Sequence, residues 1–153
     1  LNLKSELLGN LNGELKLSFT NIEHELIRNG QMSFDISEKT IQINNVIFNL
    51  GEIGIIESDI KYDEQNGNIV FNSTNSLIIK NKKEFARKFQ VKPNKVVDLD
   101  KIFFKIQKNI NNGSTSIYDI KISKSDYKDS SGFKYQINNS QELKALAKKF
   151  LNK

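Results

Sequence analysis

Between Glu38 and Tyr62 the chain reads EKTIQINNVIFNLGEIGIIESDIKY, and apolar residues take nearly every second place. Ile, Val and Phe recur while Asn, Gln, Glu and Ser fill the gaps. Successive side chains of a β-strand point to opposite faces, so this period gives a sheet with one dry face and one wet face. A helix would need apolar residues at three- and four-residue spacing. The same texture covers most of the chain and raises the question of what the dry face touches.

Turn signals divide the alternating runs. Asn-Gly pairs stand at Asn12-Gly13, Asn29-Gly30, Asn66-Gly67 and Asn112-Gly113, and Asn-Gly tolerates positive φ at both central positions of a hairpin turn. Leu15, Leu17 and Phe19 mark a first strand, and Met32, Phe34 and Ile36 a second. Ile41 and Ile43 follow a tight turn at Glu38-Lys39. Runs over 53–62 and 68–74 flank Asn66-Gly67, with a short piece at 77–80. Ile102, Phe104 and Ile106 mark another strand, residues 117–123 the next, and Phe133, Tyr135 and Ile137 the last.

Two slips in parity carry information. Ile41 and Ile43 are odd but Val46 and Phe48 even; Ile53 and Ile55 are odd but Ile60 and Tyr62 even. One extra residue turns every later side chain to the other face. Bulges near Asn44-Asn45 and near Ile55-Ile56 would restore the facing and would bend and twist the sheet. The expected fold is mainly β: a curved antiparallel sheet forming an open, taco-like trough, with short helices and a C-terminal amphipathic helix.

That last helix is read from SQELKALAKKFLNK, where Leu143, Leu146, Ala147, Phe150 and Leu151 share one stripe. Asn139 and Glu142 stand at capping-box spacing. KKEFARKF places Phe85 and Phe89 one helical turn apart, and Pro93 limits the helix beyond them. TNIEHELIRNG reads as either a short helix or a loop. The chain divides into residues 1–138, an antiparallel sheet with a short helix near 82–90, and residues 139–153, the amphipathic helix. At 153 residues it is one domain's worth.

The residues that carry chemistry are few. There are no cysteines, and His24 is the single histidine, so disulfides, thiolate sites, a catalytic triad and a zinc site are all disfavoured. His24 lies between Glu23 and Glu25, but a neighbouring His-Glu pair lacks the converging ligands a metal needs. The carboxylates are scattered and no phosphate-cradling Gly loop occurs. Net charge is +5, nearly all from Lys, with Arg only at positions 28 and 87. Nucleic-acid binders cluster their cations and favour Arg. No enzyme, cofactor, metal or nucleic-acid partner is expected. No stretch is long and apolar enough to span a bilayer. The chain opens at Leu1 in mid-pattern and reads as a piece of something longer.

Two readings of the dry face remain open. It is the closed core of a structural or adhesive β-domain with no ligand, or it is a groove that holds acyl chains. Each CH₂ withdrawn from water contributes about 0.8 kcal/mol, so a chain of about sixteen carbons offers on the order of 13 kcal/mol before entropy. Groove candidates are Phe19, Phe34, Ile36, Ile41, Ile43, Phe48, Ile53, Ile55, Ile60, Phe71, Ile102, Phe104 and Ile106. Phe85 and Phe89 are candidates for a cover over the groove or the sheet edge, which would shield the edge from unwanted pairing.

Residues 12–124 resemble the C-terminal region of the AsmA-like envelope proteins of Gram-negative bacteria. The likeness lies in the strand-turn-strand series through Asp59, then KKEFARKFQV, then the Phe-rich IFFKIQKNINNG, then YDIKI. It is a pattern of positions and does not include the final helix. The resemblance implies a curved β-sheet in the periplasm, anchored to the inner membrane through a segment not present here, with a hydrophobic groove. It implies phospholipid as the ligand, transport between the two membranes as the role, and no catalytic residues. Implied partners are the rest of the same longer chain and a membrane, reached through the missing N-terminal anchor and the C-terminal end. Roughly eight strands at about 4.8 Å each build a sheet about 40 Å wide, enough to extend a groove but not to bridge two membranes.

Overall fold

The computed structural model describes residues 13–20, 23–37, 40–65, 67–123, 128–129 and 134–152. Among them nine strands form one antiparallel sheet: β1 (Gly13–Phe19), β2 (Asn29–Ser37), β3 (Thr40–Asn49), β4 (Gly54–Gln65), β5 (Asn68–Ile79), β6 (Lys101–Asn109), β7 (Thr115–Ser123), β8 (Lys128–Asp129) and β9 (Lys134–Gln136). Each pairs with its sequence neighbour from β1 to β8, and β9 returns to β7. The ends of this meander do not pair, so the sheet is open rather than a barrel.

Register lines the inner face up in rows. Phe48, Ile56, Leu77, Ile102 and Ile122 stand side by side on β3 to β7. Ile43, Ile60, Ser73, Ile106, Ile117 and Tyr135 make a second row. Between these lies a row of Val46, Ser58, Asn75 and Phe104. The bulge expected near Asn44-Asn45 is present, with Asn45 at φ 49°, a left-handed conformation that Asn tolerates better than most residues.

The other expected bulge is absent. β4 pairs with β5 from Gly54 to Gln65 without a shift, so Ile56 and Ile60 share the inner face and Ile55 stands on the outer one. The second bulge observed is in β7, opposite Phe103–Lys105, with Asp119 at φ 50°. The parity slip from Ile117 to Ile120 and Ile122 marks it in the sequence. On the outer face Lys105 donates to Asp119 at 2.8 Å, a hydrogen bond that raises the pKa of the ammonium.

Two further readings change and an open one is decided. Asn29-Gly30 is not a turn but the start of β2, paired with Asn49 and Phe48. Of the two readings of TNIEHELIRNG, residues 23–28 take the loop. There His24 Nδ1 accepts from the backbone N–H groups of Leu26 at 3.1 Å and Ile27 at 3.2 Å, which competes with helical bonding. β5 runs unbroken through Asn75 and Ser76, because Asn75 is satisfied inside the sheet. It accepts from Ser58 Oγ at 2.7 Å and donates to Ser73 Oγ at 2.9 Å. Gly67 and Gly113 take positive φ. The Glu38-Lys39 turn, Asn12, Asn66 and Phe133 lie outside the described residues.

Two helices follow the expected spans, α1 (Lys82–Phe89) and α2 (Ser140–Leu151). Asn81 caps α1 by accepting from Glu84 N at 3.0 Å, and Gln90 closes it in the left-handed region at φ 54°. Arg87 pairs with Glu84 one turn earlier, and that hydrogen bond holds the Glu84 carboxyl below the usual carboxylate range. Asn139 caps α2 by accepting from Glu142 N at 2.9 Å, while the Glu142 carboxylate accepts from Asn138 N at 2.8 Å. α2 is tied down by the Lys144–Glu25 ion pair and by Asn152 Oδ1, which accepts from Lys92 N at 3.0 Å.

Gly54 shows how closely the chain packs where β4 begins. A Cβ there would stand 2.0 Å from the Ile78 carbonyl oxygen, and its φ is +152°. Gly54→Ala is expected to destabilise the fold by more than about 2 kcal/mol. Gly113→Ala, strained but with open space around the new Cβ, is expected to lose about 1 kcal/mol. Urea unfolding of both variants checks the order.

Candidate functional site

The inner face of the sheet is covered unevenly. α1 lays Phe85, Ala86 and Phe89 against Leu77, Ile79, Ile53 and Leu99. Phe85 is 1% exposed and Leu99 0%, so this end is a closed core. The Phe85 and Phe89 rings stack with centroids 4.6 Å apart, and the exposed Lys83 and Arg87 share α1 with them. α2 brings Leu143, Leu146, Ala147, Phe150 and Leu151 over β6, β7 and β9. Phe150 meets Tyr135 edge-on at 5.6 Å.

Between α2, α1 and the sheet lies an apolar cavity of about 230 Å³. Ile56, Leu77, Ile102, Phe104, Ile117, Ile120 and Ile122 form its floor; Phe85, Phe89, Leu143, Leu146, Ala147, Phe150 and Leu151 form its roof. Leu26, Ile27 and Leu50 close one side, and His24 is the only polar side chain on the lining. Ile56, Ile102, Phe104, Leu143, Ala147 and Phe150 all remain half-buried although they face inward. The two layers do not close on one another there.

Beyond the helices the same face continues across β3, β2 and β1, and among the described residues little lies over it. Leu15 is 48% exposed, Leu17 42% and Tyr62 46%. Phe34, Ile43, Phe48, Ile60 and Phe71 are half-buried. None of these belongs to either core cluster among the described residues. Two ring pairs lie on this part of the face: Phe19 is 6.0 Å from Phe48, and Tyr62 6.0 Å from Phe71, centroid to centroid.

The sequence-derived groove residues therefore separate. Ile102, Phe104 and Ile106 stand under α2. Phe19, Phe34, Ile43, Phe48, Ile60 and Phe71 lie on the uncovered part. Ile36 pairs with Ile41 across β2 and β3, but their side chains lie outside the described residues. Ile53 is not on the sheet face: it precedes β4 and is buried in the closed core. Ile55 is corrected to the outer face, because no bulge turns β4 over. Sequence reasoning missed Leu26, Ile27, Ile56, Ile117, Ile120 and His24 as cavity-lining residues. The slip after Ile117 and the apolar pair Leu26-Ile27 in a polar loop were the available signals.

No group of three or more His, Cys, Asp or Glu side chains converges among the described residues. No helix among them is long and apolar enough to cross a membrane. No family model, curated protein or solved structure matches the chain.

The division of the face has a direct test. Leu99→Asp would place an unpaired carboxylate in the closed core and is expected to lose more than about 3 kcal/mol or prevent folding. Leu15→Asp, on the uncovered part, is expected to stay within about 1 kcal/mol of the parent. Urea titrations giving equal losses would contradict the division.

Proposed function

We propose that this chain is a binding module for acyl chains, holding an aliphatic tail between the sheet and α2, and not a catalyst. The observation that carries this reading is the cavity itself. Inward-facing residues of both layers stay half-buried around a space with an almost wholly hydrocarbon lining. Close-packed interiors leave few voids larger than a water molecule, and an apolar cavity of roughly 150 Å³ already takes a benzene-sized guest. The uncovered strip over β1 to β3 extends the same apolar surface outward, as a groove shared with further chain would.

The wider role follows from the resemblance noted above. As part of an AsmA-like protein, this segment would sit in the periplasm, attached to the inner membrane through sequence outside this chain. It would carry phospholipid tails between the membranes. The competing reading, a structural or adhesive domain with a closed core, is favoured by the complete burial of Phe85, Val96 and Leu99. It accounts for the α1 end but gives the α2 cavity no purpose.

Filling the cavity separates the two. Ala147 lies on its roof, and Ala147→Leu is compatible with a helix. The variant is expected to raise the denaturation midpoint and to carry less phospholipid than the parent, measured by native mass spectrometry after solvent extraction. Phospholipid absent from both proteins, or equal in both, would contradict acyl binding at this site.

A further inference from the structure

From the way charge divides over the molecule, we infer that the outward side of α1 and α2 is a docking surface for an anionic phospholipid bilayer; the choice of lipid over other polyanions rests in part on the acyl-binding reading. Residues 82–100 and 140–152 hold both helices and the segment that follows α1. They carry nine of the 23 cationic side chains and four of the 18 acidic ones. Their net charge is +5, equal to that of the whole chain, and the remaining residues balance at fourteen of each sign. The excess therefore lies on the helical cover. α1 turns Phe85, Ala86 and Phe89 to the sheet and leaves Lys83 and Arg87 exposed.

The packing gathers this charge where the helices meet. Lys148 Nζ donates to Gln90 Oε1 at 2.6 Å, and Asn152 Oδ1 accepts from Lys92 N at 3.0 Å. These bonds bring the C-terminal ends of α1 and α2 together, with Lys88, Lys92, Lys148 and Lys149 at those ends. Three of the four acids are engaged: Glu84 by Arg87, Asp100 by Lys82 at 2.8 Å, and Glu142 by the Asn138 N–H. The four lysines make no ion pair among the described residues. Cations in a last turn offset the helix dipole, but two helix ends carry together only about one negative charge.

A plane of phosphates suits this surface better than a nucleic-acid strand. The cations are Lys, and Arg87 is held by Glu84. The helix rings Phe85, Phe89 and Phe150 pack inward, so none is offered for base stacking. α2 also roofs the apolar cavity. One helix thus has a cationic side and a hydrocarbon side, and a phospholipid supplies a partner for each. Because the apolar faces of both helices are taken by the sheet, the contact is electrostatic and weakens as salt rises.

The test measures partition of the full chain onto vesicles by flotation, at low and at physiological salt. Vesicles of phosphatidylcholine alone are compared with an equimolar mixture of phosphatidylcholine and phosphatidylglycerol. Binding to the mixed vesicles only, weaker at the higher salt, is the expected result. Each Lys near an anionic surface contributes roughly fivefold in affinity. The triple variant Lys88→Gln, Lys92→Gln, Lys148→Gln is therefore expected to lose at least about thirtyfold. A matched variant, Lys16→Gln, Lys61→Gln, Lys108→Gln, removes the same charge from exposed positions on β1, β4 and β6 and is expected to lose less than about threefold. Lys92→Gln alone, at an exposed position, is expected to lose about fivefold and keeps the test decisive if the first triple variant does not fold. Equal losses in the two triple variants would overturn the surface in favour of net charge alone. Equal binding to phosphatidylcholine vesicles, no binding by the parent, or tighter binding to a single-stranded oligonucleotide than to the mixed vesicles would also overturn it. Ala147→Leu, which fills the cavity, is expected to bind vesicles as the parent does. Parent protein that purifies free of phospholipid yet binds the mixed vesicles through these lysines would overturn the acyl reading and uphold the docking surface.

Discussion

An open meander cannot hide its own apolar face. Strands β1 to β7 and the place shared by β8 and β9, at about 4.8 Å each, present that face over about 40 Å, and closure into a barrel, which would bury it, does not occur. Cover has to come from elsewhere. α1 and α2 have 8 and 12 residues, about 12 and 18 Å of helix, each about 10 Å across. Among the described residues, two such helices cover one end of the sheet and leave the other uncovered. The closed core under α1, the cavity under α2 and the exposed Leu15 and Leu17 all follow from this mismatch between a wide sheet and short helices.

Within the covered part, position relative to the two helices decides what is packed. Phe85 and Leu99 stand where α1 meets the sheet directly. Ile102 and Phe104 stand under α2, which is tied down through Lys144 to Glu25 and through Asn152 to the Lys92 backbone. A polar group also sits in the floor of the sheet. Ser58, Ser73 and Asn75 bond to one another among apolar rows, and Asn75 donates as well toward the Phe104 carbonyl at 3.3 Å. Fully bonded buried polar groups favour one arrangement over others, and a one-residue slip of β5 would leave Asn75 without these partners and reverse its faces.

Much of the architecture was legible in the residues. Alternation marked the strands, Asn45 its bulge, and Asn139 with Glu142 the start of α2. What misled was parity read one strand at a time. Ile53 and Ile55 looked like a matched pair, yet Ile53 belongs to a loop, and only the pairing of β4 with β5 shows that Ile55 faces outward. The runs over 68–74 and 77–80 left a gap at Asn75 and Ser76, yet a buried amide is tolerated once bonded, and two of the partners of Asn75, Ser58 and Phe104, are far away in sequence. The cavity was the least legible feature. Its lining comes from β4 to β7, both helices and the loop at His24, and no local pattern reports how far apart two layers stand.

The most direct measurement of the central claim is an isotope-filtered NOE experiment on methyl-labelled protein with an unlabelled acyl ligand bound. Contacts from the tail to the methyl groups of Ile56, Leu77, Ile102, Ile122 and Leu146, and not to Leu15 or Leu17, are the expected result. Contacts confined to Leu15 and Leu17, or none at all with ligand in excess, would contradict the claim that the space between α2 and the sheet is the acyl site.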